Sequence, residues 1–311
     1  MKIHKFNKIG VVGTGAVGGF FGSKLSLSGL NVIFLSRAKN LDKMQKDGLI
    51  LDSMGEVSVV KNAVFTDDAS KLSDCDLILF TVKSYDTLEA ISQVKNYIKH
   101  DAVILTPQNS IINDELLSKE FGKKRVIPGF AKVGVSMPDL AYVKHTSLGI
   151  INFGEYDGKI TNRIKALKNT FEEANVEVVI HENIQVSRWK KFIWNSTFNI
   201  IAAVTEKPLD EILNHEPSYD LCVKTIKEIE QVAIAEGIDF GDENVVEARM
   251  ELSKKLGHFK PSTLDDVEKG KPIELDAFTG TVINLARKHN LEVPINEVLY
   301  SLLSCKVLKQ N

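Results

Sequence analysis

The sequence contains only three cysteines in 311 residues, Cys75, Cys222 and Cys305. They lie far apart and show none of the short spacings that are typical of structural zinc sites. An odd number of cysteines in a chain of this size argues against a disulfide framework and is typical of a reducing compartment. The seven histidines do not pair with cysteines or acidic residues at ligand spacing either. We therefore expect a cytoplasmic protein that binds no metal.

Long apolar runs and blocks of like charge are also missing. A membrane-spanning helix needs about 18 or more consecutive apolar residues, and the longest apolar stretch, residues 192–204, is interrupted by polar residues. The formal net charge is -2, without the basic surface that nucleic acid requires. We therefore expect neither a membrane span nor nucleic-acid binding. With 43% hydrophobic and 26% charged residues, the composition is typical of a two-domain globular protein and compatible with a homodimer.

A glycine-rich turn near the N-terminus is the most informative feature that is present. An apolar run at residues 9–12 is followed by Gly13-Thr14-Gly15-Ala16-Val17-Gly18 and then by a helical pattern. A strand, a Gly-x-Gly-x-x-Gly turn and a helix are typical of a dinucleotide-binding unit. In such a unit Gly13 permits the tight turn, Gly15 lets the backbone approach a pyrophosphate, and Gly18 lets the helix pack closely on the strand. We therefore predict that residues 13–18 bind a dinucleotide cofactor.

The end of the second predicted strand, Asn31–Leu35, indicates which dinucleotide binds. NAD-selective sites usually place an acidic residue here, which holds the ribose 2′-hydroxyl. This chain has Ser36 and Arg37 instead, and a guanidinium can pair with a 2′-phosphate through two hydrogen bonds. The pattern favours NADPH over NADH, with Arg37 at the 2′-phosphate. The alternative is that Arg37 is a surface residue in a loop.

The remaining patterns predict the fold class. Strand patterns occur at residues 48–51, 56–60, 75–82, 102–105, 125–130, 145–153 and 176–180, and helical patterns at 85–100 and 159–174. Beyond them helical periodicity dominates to the end of the chain. We predict an α/β Rossmann-type N-terminal domain with a predominantly parallel sheet over residues 1–182. An all-α C-terminal domain is predicted over residues 183–311.

Two polar residues lie just beyond the carboxyl ends of predicted strands of the sheet. Lys83 follows the strand at 75–82, and Asn109 follows the strand at 102–105 after a short turn. Ligands of open α/β sheets bind outside the carboxyl ends of the strands. Both side chains are therefore candidates for contact with cofactor or substrate. The alternative is that each is a loop residue that caps the following helix.

The pattern of residues 184–204 predicts one long, largely apolar helix. Lys191, Asn195 and Asn199 occur on it at intervals of four, so they share one face. Burying a lysine and two amides without partners costs several kcal/mol by the usual order of magnitude. We call these three residues the polar row, and we expect it to face a ligand. The alternative is a structural amide network that joins two domains.

Two further polar residues lie at predicted helix starts. Ser262 is a suitable N-cap with Asp265 three residues later, and Pro272 is expected in the first turn of the next helix. Glu274 would then lie near the N-terminus of that helix, where the dipole favours a carboxylate. Capping alone is a sufficient explanation of Ser262 and Glu274 at this point.

Together these segments resemble the ketopantoate reductase family, and the resemblance covers essentially the whole chain. It is carried by Gly13–Gly19, Thr81–Tyr85, Pro107–Asn109, Trp189–Asn199, Pro261–Asp266 and Pro272–Asp276. The resemblance implies NADPH-dependent reduction of 2-dehydropantoate to pantoate, in the route to pantothenate and coenzyme A. It also implies that a Rossmann domain is followed by a helical domain, with the active site in the cleft between them.

The resemblance implies roles for the residues of the helical domain. Lys191 matches the family's catalytic lysine, which acts as general acid at the ketone oxygen. Glu274 matches the glutamate that pairs with the substrate and with this lysine. Asn195 and Asn199 match substrate-binding amides, and Ser262 matches a serine that holds the substrate carboxylate.

The resemblance also concerns the cofactor. Lys83 and Asn109 match residues that border the nicotinamide and the substrate, and Arg37 matches the arginine associated with the 2′-phosphate. The resemblance implies that Glu274 also contacts the cofactor. The chain departs from the family where Ser110 stands in place of the usual glycine. A related small 2-oxo acid is therefore an alternative substrate, and a non-catalytic NADP(H)-binding sensor is an alternative function.

Overall fold

The structure is a computed structural model that describes residues 5–307 and contains two compact units. The first unit comprises the chain up to Gln108 together with Asn113–Ile184. The second unit comprises Asn109–Ile112 together with the chain from Gln185 onward. The short segment 109–112 therefore belongs to the second unit, although the chain on both sides of it belongs to the first.

A sheet of ten strands, counted over the described residues, forms the centre of the first unit. The strands are β1 (Lys8–Val12), β2 (Asn31–Leu35), β3 (Leu49–Ser53), β4 (Glu56–Val60), β5 (Val64–Thr66), β6 (Leu77–Phe80), β7 (Val103–Thr106), β8 (Val126–Asp139), β9 (Tyr142–Phe153) and β10 (Glu177–Ile180). Their order is β4-β3-β9-β8-β7-β6-β1-β2-β5, and β10 pairs with β9. The path from β8 to β5 is parallel throughout, whereas β3 with β4 and β8 with β9 are antiparallel. The predicted Rossmann-type, predominantly parallel sheet is confirmed.

Strand β6 shows why the central strands appear as continuous apolar runs in the sequence. Leu77 and Leu79 pack into one hydrophobic core, and Ile78 and Phe80 pack into another. Successive side chains of a strand point to opposite faces of the sheet. Since both faces are covered, every position of β6 is apolar and buried.

The helices of the first unit flank this sheet. They are α1 (Ala16–Leu27), α2 (Ala38–Asp47), α3 (Thr87–Val94), α4 (Asn113–Phe121) and α5 (Asn162–Glu172), with 3-10 turns at Ala69–Leu72 and Ser84–Asp86. Helix α2 is absent from the sequence prediction because only Leu41 and Met44 of its residues are buried. The helix predicted over 85–100 is shorter in the structure at both ends, because its first two residues belong to a 3-10 turn and the α-helix already ends at Val94.

Within the described residues, the second unit contains helices and no strands, which confirms the predicted all-α domain. Its helices are α6 (Ile184–Trp194, which starts at the unit boundary), α7 (Ile200–Thr205), α8 (Leu209–Asn214), α9 (Glu216–Ala235), α10 (Val245–Lys255), α11 (Ser262–Glu268), α12 (Thr281–Lys288) and α13 (Pro294–Val307). Two π-helical turns are present, the first π turn at Asn195–Asn199 and the second π turn at Asp276–Gly280. The chain is helical throughout residues 184–205, as predicted for 184–204, but it is not α-helical along its whole length because the first π turn lies between α6 and α7. None of the described helices is both long and apolar enough to cross a membrane.

Candidate functional site

The glycine turn connects β1 to α1 and depends on two of its glycines for its shape. Gly13 has φ +97°, a backbone conformation that favours glycine. A Cβ atom added there would lie 2.6 Å from the backbone nitrogen of Val82. A Cβ atom on Gly18 would overlap the carbonyl oxygen of Gly13 and Oγ1 of Thr81. Gly13 and Gly18 are therefore required by the packing of the protein itself.

Gly15 differs from these two glycines because the place of its side chain is open. No described atom lies within 4 Å of a Cβ atom built on Gly15. Gly15 is also the N-cap of α1, and no side chain of the described residues caps this helix end. Backbone N–H groups and the helix dipole at such an end attract phosphate. The turn therefore fits the pyrophosphate of a dinucleotide.

Two threonine side chains hold the glycine turn in place. Thr81 Oγ1 donates to the carbonyl oxygen of Gly13 (2.8 Å), and Thr14 Oγ1 donates to the carbonyl oxygen of Leu35 (3.0 Å). The second bond joins the turn to the end of β2, two residues before Arg37. Sequence reasoning did not single out Thr81, because its partner lies 68 residues away in the chain.

The predicted cofactor residues of the first unit follow neighbouring strands. The glycine turn follows β1, Arg37 follows β2 and Lys83 follows β6, and these strands are adjacent in the order β6-β1-β2. Arg37 is the N-cap of α2, and its exposed guanidinium pairs with Glu89 and Asp86. Lys83 is exposed and is the N-cap of the 3-10 turn after β6.

The buried side chain of Gln108 orders the segment that contains Lys83. Its Nε2 atom donates to the carbonyl oxygen of Val82 (2.7 Å) and to Oγ1 of Thr87 (3.1 Å). Val82 precedes Lys83 directly, and Thr87 begins α3. Gln108 therefore fixes both ends of this loop, a role that the sequence pattern did not indicate.

The polar row lies in the second unit, where α6 meets the first π turn. Lys191 is partly buried in the last turn of α6, and Asn195 and Asn199 are only 4% and 3% exposed. Within the described part of the chain, Nδ2 of Asn195 and Oδ1 of Asn199 are buried without a hydrogen-bond partner. Leaving such an atom unpaired costs about 1–3 kcal/mol. The hydroxyl groups of Ser196 and Thr197 in the same turn also lack a hydrogen-bond partner among the described residues. Both amides are therefore candidates for contact with a ligand, since π turns are frequent at functional sites.

Ser110 ties the segment of Asn109 to two other elements of the second unit. The Ser110 hydroxyl donates to the carbonyl oxygen of Ala277 in the second π turn (3.4 Å) and accepts from the backbone N–H of Ile112 (3.3 Å). Its carbonyl oxygen accepts from Nη2 of the buried Arg188 on α6 (3.1 Å). The serine that replaces the expected glycine thus uses its side chain in the packing of this unit.

Ser262 and Glu274 occupy positions slightly different from those predicted. Pro261, in an extended conformation, is the N-cap of α11, and Ser262 is the exposed first helical residue. No helix begins at Pro272, because the chain stays irregular until the second π turn starts at Asp276, two residues after the partly buried Glu274. The first π turn packs against both α11 and the second π turn. The elements that contain the predicted substrate-binding residues are therefore neighbours within the second unit.

The described residues contain no group of three or more histidine, cysteine or acidic side chains that could hold a metal ion.

The chain matches two family models. One, described as "Ketopantoate reductase PanE/ApbA", matches residues 9–158, and one described as "Ketopantoate reductase PanE/ApbA C terminal" matches residues 183–306.

Individual proteins are similar to this chain over nearly its full length. The uncharacterized oxidoreductase YkpB of Bacillus subtilis is 30% identical over 293 residues, which cover 94% of this chain and 96% of that protein. A 2-dehydropantoate 2-reductase of Pyrococcus horikoshii is 29% identical over 299 residues, or 96% of this chain and 97% of its own. Among solved structures, 2-dehydropantoate 2-reductase from Geobacter metallireducens has a TM-score of 0.88 at 28% identity, covering 96% of this chain and 99% of that one.

Proposed function

Because the chain belongs to the ketopantoate reductase family, we propose that it reduces 2-dehydropantoate to pantoate with NADPH, in the route to pantothenate and coenzyme A. The observation that carries the choice of substrate is the pair of unpartnered amide atoms in the first π turn. Nδ2 of Asn195 is a donor and Oδ1 of Asn199 is an acceptor. A 2-oxo acid offers acceptor oxygens to the donor, and the 4-hydroxyl group of 2-dehydropantoate offers a donor to the acceptor.

The second unit supplies the groups that act on the substrate. NADPH, when bound, supplies a hydride to the carbonyl carbon. The ammonium group of Lys191 donates a proton to the ketone oxygen as negative charge develops there. The Glu274 carboxylate balances this ammonium, and the Ser262 hydroxyl donates to the substrate carboxylate. Asn195 and Asn199 orient the substrate through its oxygen atoms and its hydroxyl group.

NADPH oxidation with a panel of 2-oxo acids tests this function. The most informative comparison is 3,3-dimethyl-2-oxobutanoate, which differs from 2-dehydropantoate only by the missing hydroxyl group. A site with a buried acceptor for that hydroxyl is expected to favour 2-dehydropantoate by more than about 10² in kcat/KM. Equal values would point to another 2-oxo acid as substrate, and no oxidation with any acid would point to a sensor.

Replacing Asn199 with alanine is expected to weaken this discrimination. We expect kcat/KM for 2-dehydropantoate to fall by about 10–100-fold, because the hydroxyl loses its acceptor, and that for 3,3-dimethyl-2-oxobutanoate to change by less than about threefold. Steady-state kinetics with both acids provides the measurement. Asn296→Ala is the matched control, because it removes a buried amide that donates to Glu228 (2.7 Å) away from the polar row. An equal loss for both acids would contradict the role of Asn199.

Replacing Arg37 with alanine is expected to weaken the binding of NADPH much more than the binding of NADH. A charge-assisted bond to the 2′-phosphate is worth about 1.5–3 kcal/mol, so the Kd of NADPH should rise by roughly 10–100-fold. The Kd of NADH should change by less than about twofold, since NADH has no phosphate at this position. Titration of nicotinamide fluorescence measures both constants. Equal losses for the two cofactors would contradict the phosphate role.

A further inference from the structure

The guanidinium group of Arg37 is already engaged by two carboxylates of its own unit. Its Nη1 atom lies 2.5 Å from Oε1 of Glu89, and its Nη2 atom lies 3.5 Å from Oδ2 of Asp86. The Glu89 side chain is 67% exposed, and that of Arg37 is 53% exposed. These are the donors with which Arg37 would pair a 2′-phosphate.

The sheet order explains why these acidic residues reach Arg37. Arg37 follows β2, whereas Asp86 and Glu89 lie in the 3-10 turn and the first turn of α3 that follow β6. Strand β1 lies between β2 and β6, so the loops after β2 and β6 lie on the two sides of the glycine turn. An acidic residue is favourable in the first helical turn, so Glu89 stabilises α3 as well as pairing with Arg37.

This arrangement has opposite consequences for the two cofactors. A 2′-phosphate can bind Arg37 only by displacing the carboxylates, and it then stays close to two groups of its own charge. Unit charges a few ångströms apart still repel measurably at an exposed site. NADH lacks this phosphate and leaves the ion pairs intact.

We propose that Glu89, assisted by Asp86, is a specificity-determining residue that competes with the 2′-phosphate for Arg37 and lowers the preference for NADPH over NADH. The proposal rests on the proposed function, because it requires Arg37 to bind the 2′-phosphate. It implies that the enzyme accepts both cofactors more evenly than a site with Arg37 alone would.

Glu89→Gln tests the proposal, because it removes the charge and keeps the size of an exposed side chain. We expect the Kd of NADPH to fall by about fivefold and that of NADH to change by less than about twofold. This gain in affinity for NADPH should shrink as salt is raised from low ionic strength to about 0.5 M, because exposed charges are then screened. Asp86→Asn should act in the same direction but more weakly, since its carboxylate lies farther from Arg37. Fluorescence titration measures binding without turnover, so the result does not depend on the substrate.

Glu120→Gln is the matched control. Glu120 is a half-exposed glutamate of the same unit that pairs with Lys95 at 3.6 Å, and its replacement should leave the ratio of the two Kd values unchanged. An unchanged ratio in Glu89→Gln, or weaker NADPH binding, would overturn the proposal, because Glu89 would then only orient Arg37. If Arg37→Ala itself affects both cofactors equally, the assignment of Arg37 to the 2′-phosphate fails, and this proposal fails with it.

Discussion

Replacing Lys191 with alanine is expected to lower kcat for 2-dehydropantoate by about 10²–10⁴, the usual contribution of a general acid. The ketone oxygen would then develop negative charge without a positioned proton donor. The Kd of NADPH should barely change, because Lys191 is proposed to act on the substrate and is not among the residues proposed to hold the dinucleotide. Single-turnover kinetics and fluorescence titration separate these two effects.

Lys190→Ala is the control for this substitution. It makes the same chemical change one residue earlier in α6, where the lysine side chain pairs with Glu243 instead. We expect this variant to retain kcat within a few-fold and to lose a little thermal stability. If Lys191→Ala retained the kcat of the unchanged enzyme, the proton would have to come from another group.

Two alanine substitutions in the glycine turn are expected to have different effects, one on the stability of the fold and the other on the binding of NADPH. Gly18→Ala should lower the free energy of unfolding by about 3 kcal/mol or more, because the added carbon overlaps a backbone oxygen that cannot move without displacing the turn. Gly15→Ala should leave the unfolding temperature nearly unchanged, since its Cβ atom meets open space. It should instead raise the Kd of NADPH by about 10–100-fold, because that space is where we propose that the pyrophosphate approaches the backbone.

Thermal unfolding and NADPH titration of both variants distinguish these effects. Gly29→Ala is a useful third variant, because Gly29 has φ +92° but no described atom within 4 Å of an added Cβ. It should show the cost of backbone strain alone, without overlap. If the Gly15 variant lost as much thermal stability as the Gly18 variant, Gly15 would be required for folding and not for binding the cofactor.

The glycine turn and the central strands were predictable because their causes are local. A tight turn, a close helix–strand contact and a strand covered on both faces each restrict the residues at that position, and the restriction is visible in the sequence. The strand patterns at 48–51 and 56–60 are local in the same way, and the structure pairs these strands as the hairpin of β3 and β4, with Met54 and Gly55 at positive φ in its turn.

The missed features either leave the local sequence pattern almost unchanged or depend on contacts between distant residues. The hydrogen bonds of a π turn span five residues where those of an α-helix span four, and this small difference leaves the periodicity across residues 184–204 almost unchanged, so the sequence does not reveal the first π turn. The pairing of Arg37 with Glu89 joins residues 52 positions apart, and it arises from the order of strands in the sheet. The hydroxyl of Ser110 reaches a partner 167 positions away. Such contacts follow only from the assembled fold.

The segment 109–112 has a consequence for building chimeric enzymes. A cut at residue 185, where the helical half of the chain begins, would leave this segment with the other parent. The buried guanidinium of Arg188 would then meet a foreign loop in place of the Ser110 carbonyl, and the Ala277 carbonyl would lose its hydroxyl partner. A graft of the helical half into a relative therefore has to bring four residues from the middle of the nucleotide-binding half with it.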